Sequence, residues 1–408
     1  MRSDLGTEGG VLTGIRVLDL THIFSGPQAT QILGDLGADV IKVERVEGGD
    51  PARRYGQGVD DDGFGASFVA LNRNKRSLAL DLASEEGRGV LRRLVADSDV
   101  LVQNFKTGQM QKWDLDYEAA RAINPRLVYC SISGFGSEGP LAARAANDLV
   151  IQAYSGLLSF TGEVGGGPVR VGTAVADLTA GTNAALGIVA ALFQRERTGE
   201  GQEVRTSMLE GLVNMLSYFF ADYWQKGVVP ERLGTANRLG IPNQAFPTSD
   251  GWIVISNANE AMWRRCCAVL GIPAVAEDPR FCSLARRYEN TEALVAAVSE
   301  ATLRFTTDDI ARRLGEASVS SGPINDLPTV AEDEQLAALG TFIEVPVGHE
   351  GGRTGRVVSS PFSLSAAPLA ARRGVPELGA DSSAILAELG YDEGEIAALK
   401  LDGVVDGI

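Results

Sequence analysis

The carboxylate of Asp177 stands just before an Ala- and Gly-rich run, and residues 171–192 read VGTAVADLTAGTNAALGIVAAL. Asp is a preferred N-cap residue, because its side chain accepts hydrogen bonds from the free N–H groups of the first helical turn. A carboxylate at a helix N-terminus, beneath the Gly-rich loop at 161–170, can also serve as a covalent nucleophile. The positive helix end would keep it ionised and stabilise a developing oxyanion. The local sequence leaves both interpretations of Asp177 open.

Other catalytic chemistries find little support in the sequence. The chain has two histidines, His22 and His349, and four cysteines without the spacing of zinc ligands or of a disulfide framework. It contains no phosphate-binding loop of the G-x-x-x-x-G-K-[ST] type, no G-x-G-x-x-G after the first strand, and no G-x-S-x-G nucleophile elbow. These observations predict no metal site and leave carboxylate chemistry as the main candidate.

The elements that must position Asp177 follow an alternating pattern in the first half of the chain. The apolar patterns predict strands at 14–21, 39–45, 76–82, 99–105 and 126–136, separated by helices at 26–38, 84–98 and about 115–125. A further helix is predicted from Asp177 to about 197, followed by an apolar stretch at 206–224. Such alternation is typical of a parallel sheet with helices on both faces. The predicted class is therefore α/β, with a Rossmann-like, doubly wound large domain.

The second half predicts a smaller α/β domain inserted into the large one. Residues 226–250 are rich in Pro and Gly and are predicted to form a linker. A small domain at 251–320 follows, with a strand at 251–257 and helices at 260–270, 289–303 and 306–317. A second linker is predicted at 321–330. The large domain would then combine 1–225 with 331–408, including a strand at 342–347 and a final helix at 381–399.

Composition limits the partners and the cellular location. The 408 residues carry a formal net charge of −16, which makes nucleic acid an unfavourable partner because its phosphates would be repelled. No apolar run reaches the ~18 residues typical of a membrane span, and the N-terminal residues lack the apolar core of a signal peptide. These features predict a cytoplasmic protein without a membrane partner.

Several long sequence blocks resemble the class III coenzyme A transferases, the family of the formyl-CoA:oxalate and carnitine CoA-transferases. They occur in the order of that family, at 14–44, 72–82, 99–105, 124–140 and 175–204. The resemblance implies that Asp177 attacks the thioester of an acyl-CoA to give a mixed anhydride, and then forms an aspartyl-CoA thioester that a carboxylic acid attacks. It also implies acyl-CoA and a carboxylic acid as substrates, no permanently bound cofactor, and an interlocked homodimer.

The resemblance assigns further site residues by position. Those expected to bind coenzyme A are Arg45, Leu80, Asn104, Phe105 and Lys112, and the cluster NRNKR at 72–76 resembles the basic island that an anionic ligand needs. A solvated charge run is the alternative explanation of that cluster. His22 matches the family, whereas Phe24, Ser25, Ser133 and Phe135 depart from the formyl-CoA transferases, and their tetraglycine loop has no counterpart. A larger or more apolar acyl group than oxalate is therefore expected.

Two other functions remain as alternatives. The 2-methylacyl-CoA racemases resemble this chain but use a histidine where it has Asn147, and an amide cannot accept and return a proton. The second alternative is a non-catalytic CoA-binding protein.

Overall fold

The computed structural model describes residues 9–55, 64–238, 240–257, 259–348 and 352–406. Residues 1–8 and His349, which entered the sequence analysis, lie outside this part of the chain. The chain divides into two compact units. Met1–Leu158, Arg170–Val228 and Ala337–Ile408 belong to the first unit, and Ser159–Val169 and Val229–Leu336 belong to the second.

The strands and helices are numbered along the chain. The strands are β1 (Arg16–Asp19), β2 (Asp39–Glu44), β3 (Lys75–Leu80), β4 (Val100–Gln103), β5 (Val128–Ser133), β6 (Glu203–Ser207), β7 (Asn243–Pro247), β8 (Trp252–Ser256), β9 (Ser320–Pro323), β10 (Phe342–Val347), β11 (Arg353–Val358) and β12 (Val405–Asp406). The helices are α1 (Ser25–Asp35), α2 (Ala66–Leu71), α3 (Glu85–Ala96), α4 (Gln109–Lys112), α5 (Tyr117–Ile123), α6 (Asp148–Tyr154), α7 (Leu157–Phe160), α8 (Val175–Thr198), α9 (Met208–Met215), α10 (Ser217–Lys226), α11 (Glu260–Val269), α12 (Pro273–Glu277), α13 (Leu284–Glu289), α14 (Thr291–Thr302), α15 (Thr307–Glu316), α16 (Leu327–Ala331), α17 (Glu334–Ala338), α18 (Ser382–Glu388) and α19 (Glu393–Leu401).

The first unit contains a seven-stranded sheet in the order β12-β3-β2-β1-β4-β5-β6. All neighbouring pairs are parallel except β12 and β3, which are antiparallel. The predicted α/β class with a parallel sheet is thus confirmed. Because the chain passes from β1 to β2 on one side and later reaches β4 on the other, the strand order reverses between β1 and β4. Doubly wound sheets bind ligands at the carboxyl ends of such strands.

Two hydrophobic cores lie on opposite faces of this sheet, because successive side chains of a strand point to opposite sides. Val17, Val40 and Val100 belong to the core that contains side chains of α1 and α8. Leu18, Ile41 and Leu101 belong to the core that contains side chains of α3 and α18. The parallel strands are therefore covered by helices on both faces.

Helix α8 packs closely against the beginning of α1. Gly181 is buried in α8, and a Cβ atom at this position would lie 2.4 Å from the Ser25 carbonyl oxygen. Since backbone atoms cannot approach a Cβ so closely, the glycine is required for this helix contact. The small residues of α8 thus bring Asp177 next to the N-terminus of α1.

Gly181→Ala is expected to lower the free energy of unfolding by about 1–3 kcal/mol through overpacking, although alanine favours a helix interior by about 1 kcal/mol. Gly89→Ala in α3 is the matched control, because a Cβ there meets no atom within 4 Å. It should stabilise the protein by up to about 1 kcal/mol. Urea titrations measure both changes, and equal effects at the two positions would contradict this account of the packing.

Helix α8 is also long and apolar enough to cross a membrane, judged by length and composition alone. The expectation that no apolar run reaches the ~18 residues typical of a membrane span is therefore wrong. Its residues Ala180, Ala184 and Ile188 are buried in the core of the first unit, and core helices of soluble proteins share these properties.

The second unit is built on an antiparallel sheet of β7, β8 and β9. The predicted strand and three helices of this segment correspond to β8, α11, α14 and α15. The predicted linkers differ from the structure, because 226–250 contains β7, and β9 and α16 occupy most of 321–330. Pro and Gly in these segments mark turns around short elements rather than an unstructured connection.

The C-terminal part of the first unit differs from the prediction in one element. The single helix predicted at 381–399 is two helices, α18 and α19. Gly390 between them has a φ of +86°, and Asp392 begins α19 with a capping box that includes Glu395. These two signals end one helix and start the next.

Candidate active site

A cavity of about 570 Å³ lies in the first unit at the carboxyl ends of three parallel strands. His22 and Ser25 follow β1, Asn104 and Phe105 follow β4, and Ser133 ends β5; all of them line the cavity, together with Asp177. The cavity thus occupies the place where the strand order reverses. Its volume is in the range of pockets that bind small molecules and cofactors.

Asp177 lies in the first turn of α8, but it does not cap this helix. The N-cap residue is Ala174, which provides no side-chain hydrogen bond. Asp148 instead caps the helix from α6, because its Oδ1 accepts the N–H of Ala176 at 2.7 Å. Gln152 donates from Nε2 to the other oxygen of Asp148 at 2.5 Å. The structure therefore gives the capping role to Asp148 and leaves the Asp177 side chain directed into the cavity.

The hydroxyl group and the backbone N–H of Ser25 act on the Asp177 carboxylate as hydrogen-bond donors that favour its ionised form. Ser25 is the first residue of α1 and is buried. The carboxylate of Asp177 therefore lies at the N-terminus of α1, a second helix whose free N–H groups and dipole favour negative charge.

Burial, together with the negative charge of Asp148, raises the pKa of Asp177 to about 6, whereas hydrogen-bond donation by Ser25 opposes the shift. The raised pKa is compatible with the expectation that the helix end keeps this carboxylate ionised. At neutral pH the group is still mostly ionised, and its higher basicity makes it a stronger nucleophile.

The loop between β1 and α1 is fixed from two sides. Asn104 accepts the N–H of His22 at 3.1 Å and donates from Nδ2 to the His22 carbonyl oxygen at 2.9 Å. The Asp50 carboxylate accepts the N–H of Ile23, a β-branched residue with a φ of +72°. Such a conformation is strained, and strained residues persist only where their surroundings hold them in place. The hydrogen bonds of Asn104 and Asp50 therefore hold the loop that delivers Ser25 to Asp177.

A buried ion-pair network supports this loop from below. Asp19 at the end of β1 pairs with Lys75 at 3.0 Å and accepts hydrogen bonds from the hydroxyl groups of Thr21 and Thr30. Lys42 pairs with Asp50 at 2.9 Å and donates to the Thr21 carbonyl oxygen. Burial lowers the pKa of Lys75 to about 8, although the charge of Asp19 opposes this shift. These charges fix the backbone between β1 and α1.

The other predicted site residues lie in different surroundings. Arg45 lines an adjacent cavity of about 230 Å³ together with His22 and Phe105. Leu80 is buried in the core beside β12, and Lys112 is exposed on α4. In the described structure Phe24, Phe135, Leu80 and Lys112 do not line the 570 Å³ cavity. For Leu80, the last residue of β3, the physical reason is that its side chain is buried in the core on one face of the sheet.

The predicted basic island at 72–76 is wrong, and so is its solvated alternative. All five residues are buried. Arg73 pairs with Asp35, Lys75 pairs with Asp19, and Arg76 pairs with Asp39 and Glu388. These cations cross-link the sheet to its surroundings and have no free charge for a ligand.

Two further cations line the cavity, Lys106 and Arg144, and the sequence patterns above do not single them out. Lys106 directly follows Phe105, so its place after a strand end could have indicated it. Asn147 also lines the cavity, and its side chain caps α6 by accepting the Val150 N–H at 3.0 Å. The burial of His22 lowers the pKa of its imidazole, which is therefore neutral at pH 7.

The first unit is thus a doubly wound α/β fold with a carboxylate of raised pKa in a cavity at its switch point. The model of CoA-transferase family III matches residues 12–382. A succinate–glutarate CoA-transferase of Agrobacterium fabrum is 38% identical over 95% of this chain and 98% of its own length. A succinyl-CoA:mesaconate CoA-transferase of Haloarcula marismortui is 34% identical over 94% of this chain and 98% of its own length.

A solved structure, that of a CAIB/BAIF family protein from Brucella suis, is 38% identical and superposes with a TM-score of 0.86. The match covers 93% of this chain and 100% of that chain. The chain belongs to CoA-transferase family III and is an enzyme of CoA transfer.

Proposed function

We propose that CoA transfer proceeds through covalent intermediates on Asp177. A carboxylate oxygen attacks the thioester carbonyl carbon of the donor acyl-CoA, and the C–S bond breaks. CoA departs as its thiolate, and a mixed anhydride between Asp177 and the acyl group remains. The thiolate then attacks the Asp177 carbonyl carbon and releases the donor acid as its carboxylate. The acceptor carboxylate attacks the carbonyl carbon of the resulting aspartyl thioester, which expels the thiolate and forms a new anhydride. The thiolate then attacks the acceptor's carbonyl carbon in this anhydride, so that the acyl-CoA of the acceptor forms and the Asp177 carboxylate leaves. Asp177 is regenerated, and the energy of the thioester is kept.

The observation that carries this proposal is the state of the Asp177 carboxylate. It lines a cavity, the hydrogen-bond donors of Ser25 favour its ionised form, and its pKa is raised to about 6. An ionised carboxylate with raised basicity combines a high fraction of the reactive form at pH 7 with better nucleophilicity. The N–H groups at the start of α1 also lie where they can stabilise oxyanions during the reaction.

The relatives support dicarboxylic acids as substrates. Two of them are named for succinate, glutarate and mesaconate, which all carry two carboxyl groups. We extend this substrate class to the present enzyme, with the acyl-CoA and the carboxylic acid as its substrates in the cytoplasm and no permanently bound cofactor.

An interlocked homodimer completes the proposal. Large apolar side chains are exposed on α8 and α10, among them Leu186, Phe193 and Trp224, at 69%, 61% and 76%. Exposed apolar groups of this kind are typical of protein interfaces. Light scattering should give twice the chain mass of 43.1 kDa, and a monomer at micromolar concentration would contradict the assembly.

Trapping with hydroxylamine tests the covalent mechanism. In the presence of an acyl-CoA donor, we expect hydroxylamine to inactivate the enzyme and to leave a hydroxamate on Asp177 alone, as seen by peptide mass spectrometry. Without the donor the enzyme should stay unmodified. Full turnover with no modification of Asp177 would contradict the proposal. Affinity for CoA without turnover on a panel of donors and acids would favour the non-catalytic alternative.

The pH dependence provides a separate prediction. Because the pKa of Asp177 is raised to about 6, kcat/KM for the acyl-CoA donor should rise with pH and level off above pH 7, with a midpoint near 6. Asp148→Asn keeps an oxygen for the Ala176 N–H but removes a negative charge that disfavours ionisation. Its midpoint should therefore lie below that of the unchanged enzyme. A midpoint that stays the same or rises would rule out Asp148 as a cause of the shift.

A further inference from the structure

Arg144 differs from several buried arginines of the first unit, which pair with carboxylates. Arg53 pairs with Glu44, Arg73 with Asp35, and Arg195 with Asp99. Within the described residues the Arg144 guanidinium has no carboxylate partner, although the chain carries a net charge of −16. Its side chain lines the same cavity as Asp177. Arg144 is exposed, so its guanidinium is accessible to a ligand in the cavity that also holds the candidate nucleophile.

Two aromatic rings position the Arg144 guanidinium. Its Cζ lies 5.4 Å from the centre of the Phe135 ring and 5.9 Å from that of the Tyr154 ring. The two rings contact each other edge to face, with centres 5.2 Å apart, and Phe135 is buried. An arginine held by ring contacts keeps its N–H groups available for hydrogen bonds to a ligand.

The segment that carries Arg144 is tied to the nucleophile. It leads within a few residues to Asn147, which caps α6, and to Asp148, whose carboxylate binds the N–H of Ala176. Ala176 is adjacent to Asp177 in α8. The guanidinium and the reactive carboxylate therefore belong to one connected wall of the cavity.

We propose that Arg144 binds the distal carboxylate of a dicarboxylic substrate while the other carboxyl group reacts at Asp177, an inference that rests on the proposed function. The planar guanidinium can bind a carboxylate through two parallel N–H···O bonds. In an acidic protein it also offsets the repulsion that a doubly charged acid meets. A monocarboxylic acid of equal chain length lacks this bond, so Arg144 determines specificity for dicarboxylic acids.

The test compares glutarate with pentanoate as acceptors, at a fixed saturating concentration of succinyl-CoA. In a ping-pong reaction kcat/KM for the acceptor reports only the half-reaction that consumes it. We expect the ratio of kcat/KM for glutarate to that for pentanoate to fall about 10–100-fold in Arg144→Gln, through loss of a charge-assisted hydrogen bond. Arg144→Lys should recover part of the ratio.

The control is Arg121→Gln, which removes the same charge from an exposed position on α5 outside the cavity. Its ratio should equal that of the unchanged enzyme. In Arg144→Gln kcat/KM for pentanoate should fall less than kcat/KM for glutarate, and a urea unfolding curve close to that of the unchanged enzyme shows that this variant folds. A ratio in Arg144→Gln equal to that of the unchanged enzyme overturns the subsite but not CoA transfer. Absence of transfer by the unchanged enzyme with every acceptor overturns the proposed function and the subsite together.

Discussion

Asp177→Asn is expected to lower kcat by about 10⁴-fold or more, because the amide oxygen cannot form the mixed anhydride and losses of this size follow removal of a covalent nucleophile. The substitution keeps the size of the side chain and an oxygen that can still accept the hydrogen bonds of Ser25. Binding of coenzyme A, measured by calorimetry, should therefore remain within a few-fold of that of the unchanged enzyme. Turnover at an undiminished rate would exclude Asp177 as the nucleophile.

A stability measurement provides the internal control for this variant. The pKa of Asp177 is about 6 in the folded protein and near 3.8 when the chain is unfolded, so the folded state binds more protons between these values. The carboxylate therefore lowers stability as the pH rises through this window. Asn removes the penalty, and we expect a gain of about 1 kcal/mol at pH 7, allowing for partial exposure, and none at pH 3. An inactive variant that is more stable at pH 7 has not lost activity by unfolding.

Asp19→Asn is expected to lower the free energy of unfolding by about 3–5 kcal/mol, because it leaves the buried Lys75 ammonium without its partner. Lys75→Met should also destabilise the protein by leaving the Asp19 carboxylate unpaired. The double variant Asp19→Asn, Lys75→Met should lose less than the sum of the single losses, since neither unpaired charge remains. Urea unfolding of all three variants measures this coupling. Additive losses would mean that the two charges do not act as a pair.

Local patterns were enough to predict the class of fold. The alternation of apolar runs identified β1 to β5, α1 and α3, since burial on both faces of a parallel sheet leaves a clear signature in each strand. The ends of the helices and strands were predicted less accurately. The prediction of a single helix at 381–399 was wrong, because the apolar periodicity continues on both sides of the turn at Gly390 and so does not show the break.

The site was predicted in part, because its most important contacts join distant parts of the sequence. Asp177 was identified, but a sequence cannot show that Ser25 binds its carboxylate or that Asp148 takes over the capping role from another helix. The prediction of a basic island at 72–76 was wrong for the same reason. Its composition is that of an anion-binding surface, while its partners Asp35 and Glu388 lie far from it along the chain. Arg144 had no local signal, since only the fold places it at the cavity.

The short strand β12 has a consequence for the order in which the protein is made. It covers the outer edge of β3, yet it comes from residues 405–406 and leaves the ribosome long after β3. Until then β3 presents unpaired backbone groups to other nascent chains, which is a recognised route to aggregation. Lys75 and Arg76 lie in this strand, and charged side chains discourage edge-to-edge pairing. The same two cations that fix the finished sheet are thus expected to disfavour pairing of this edge with other chains before β12 is added.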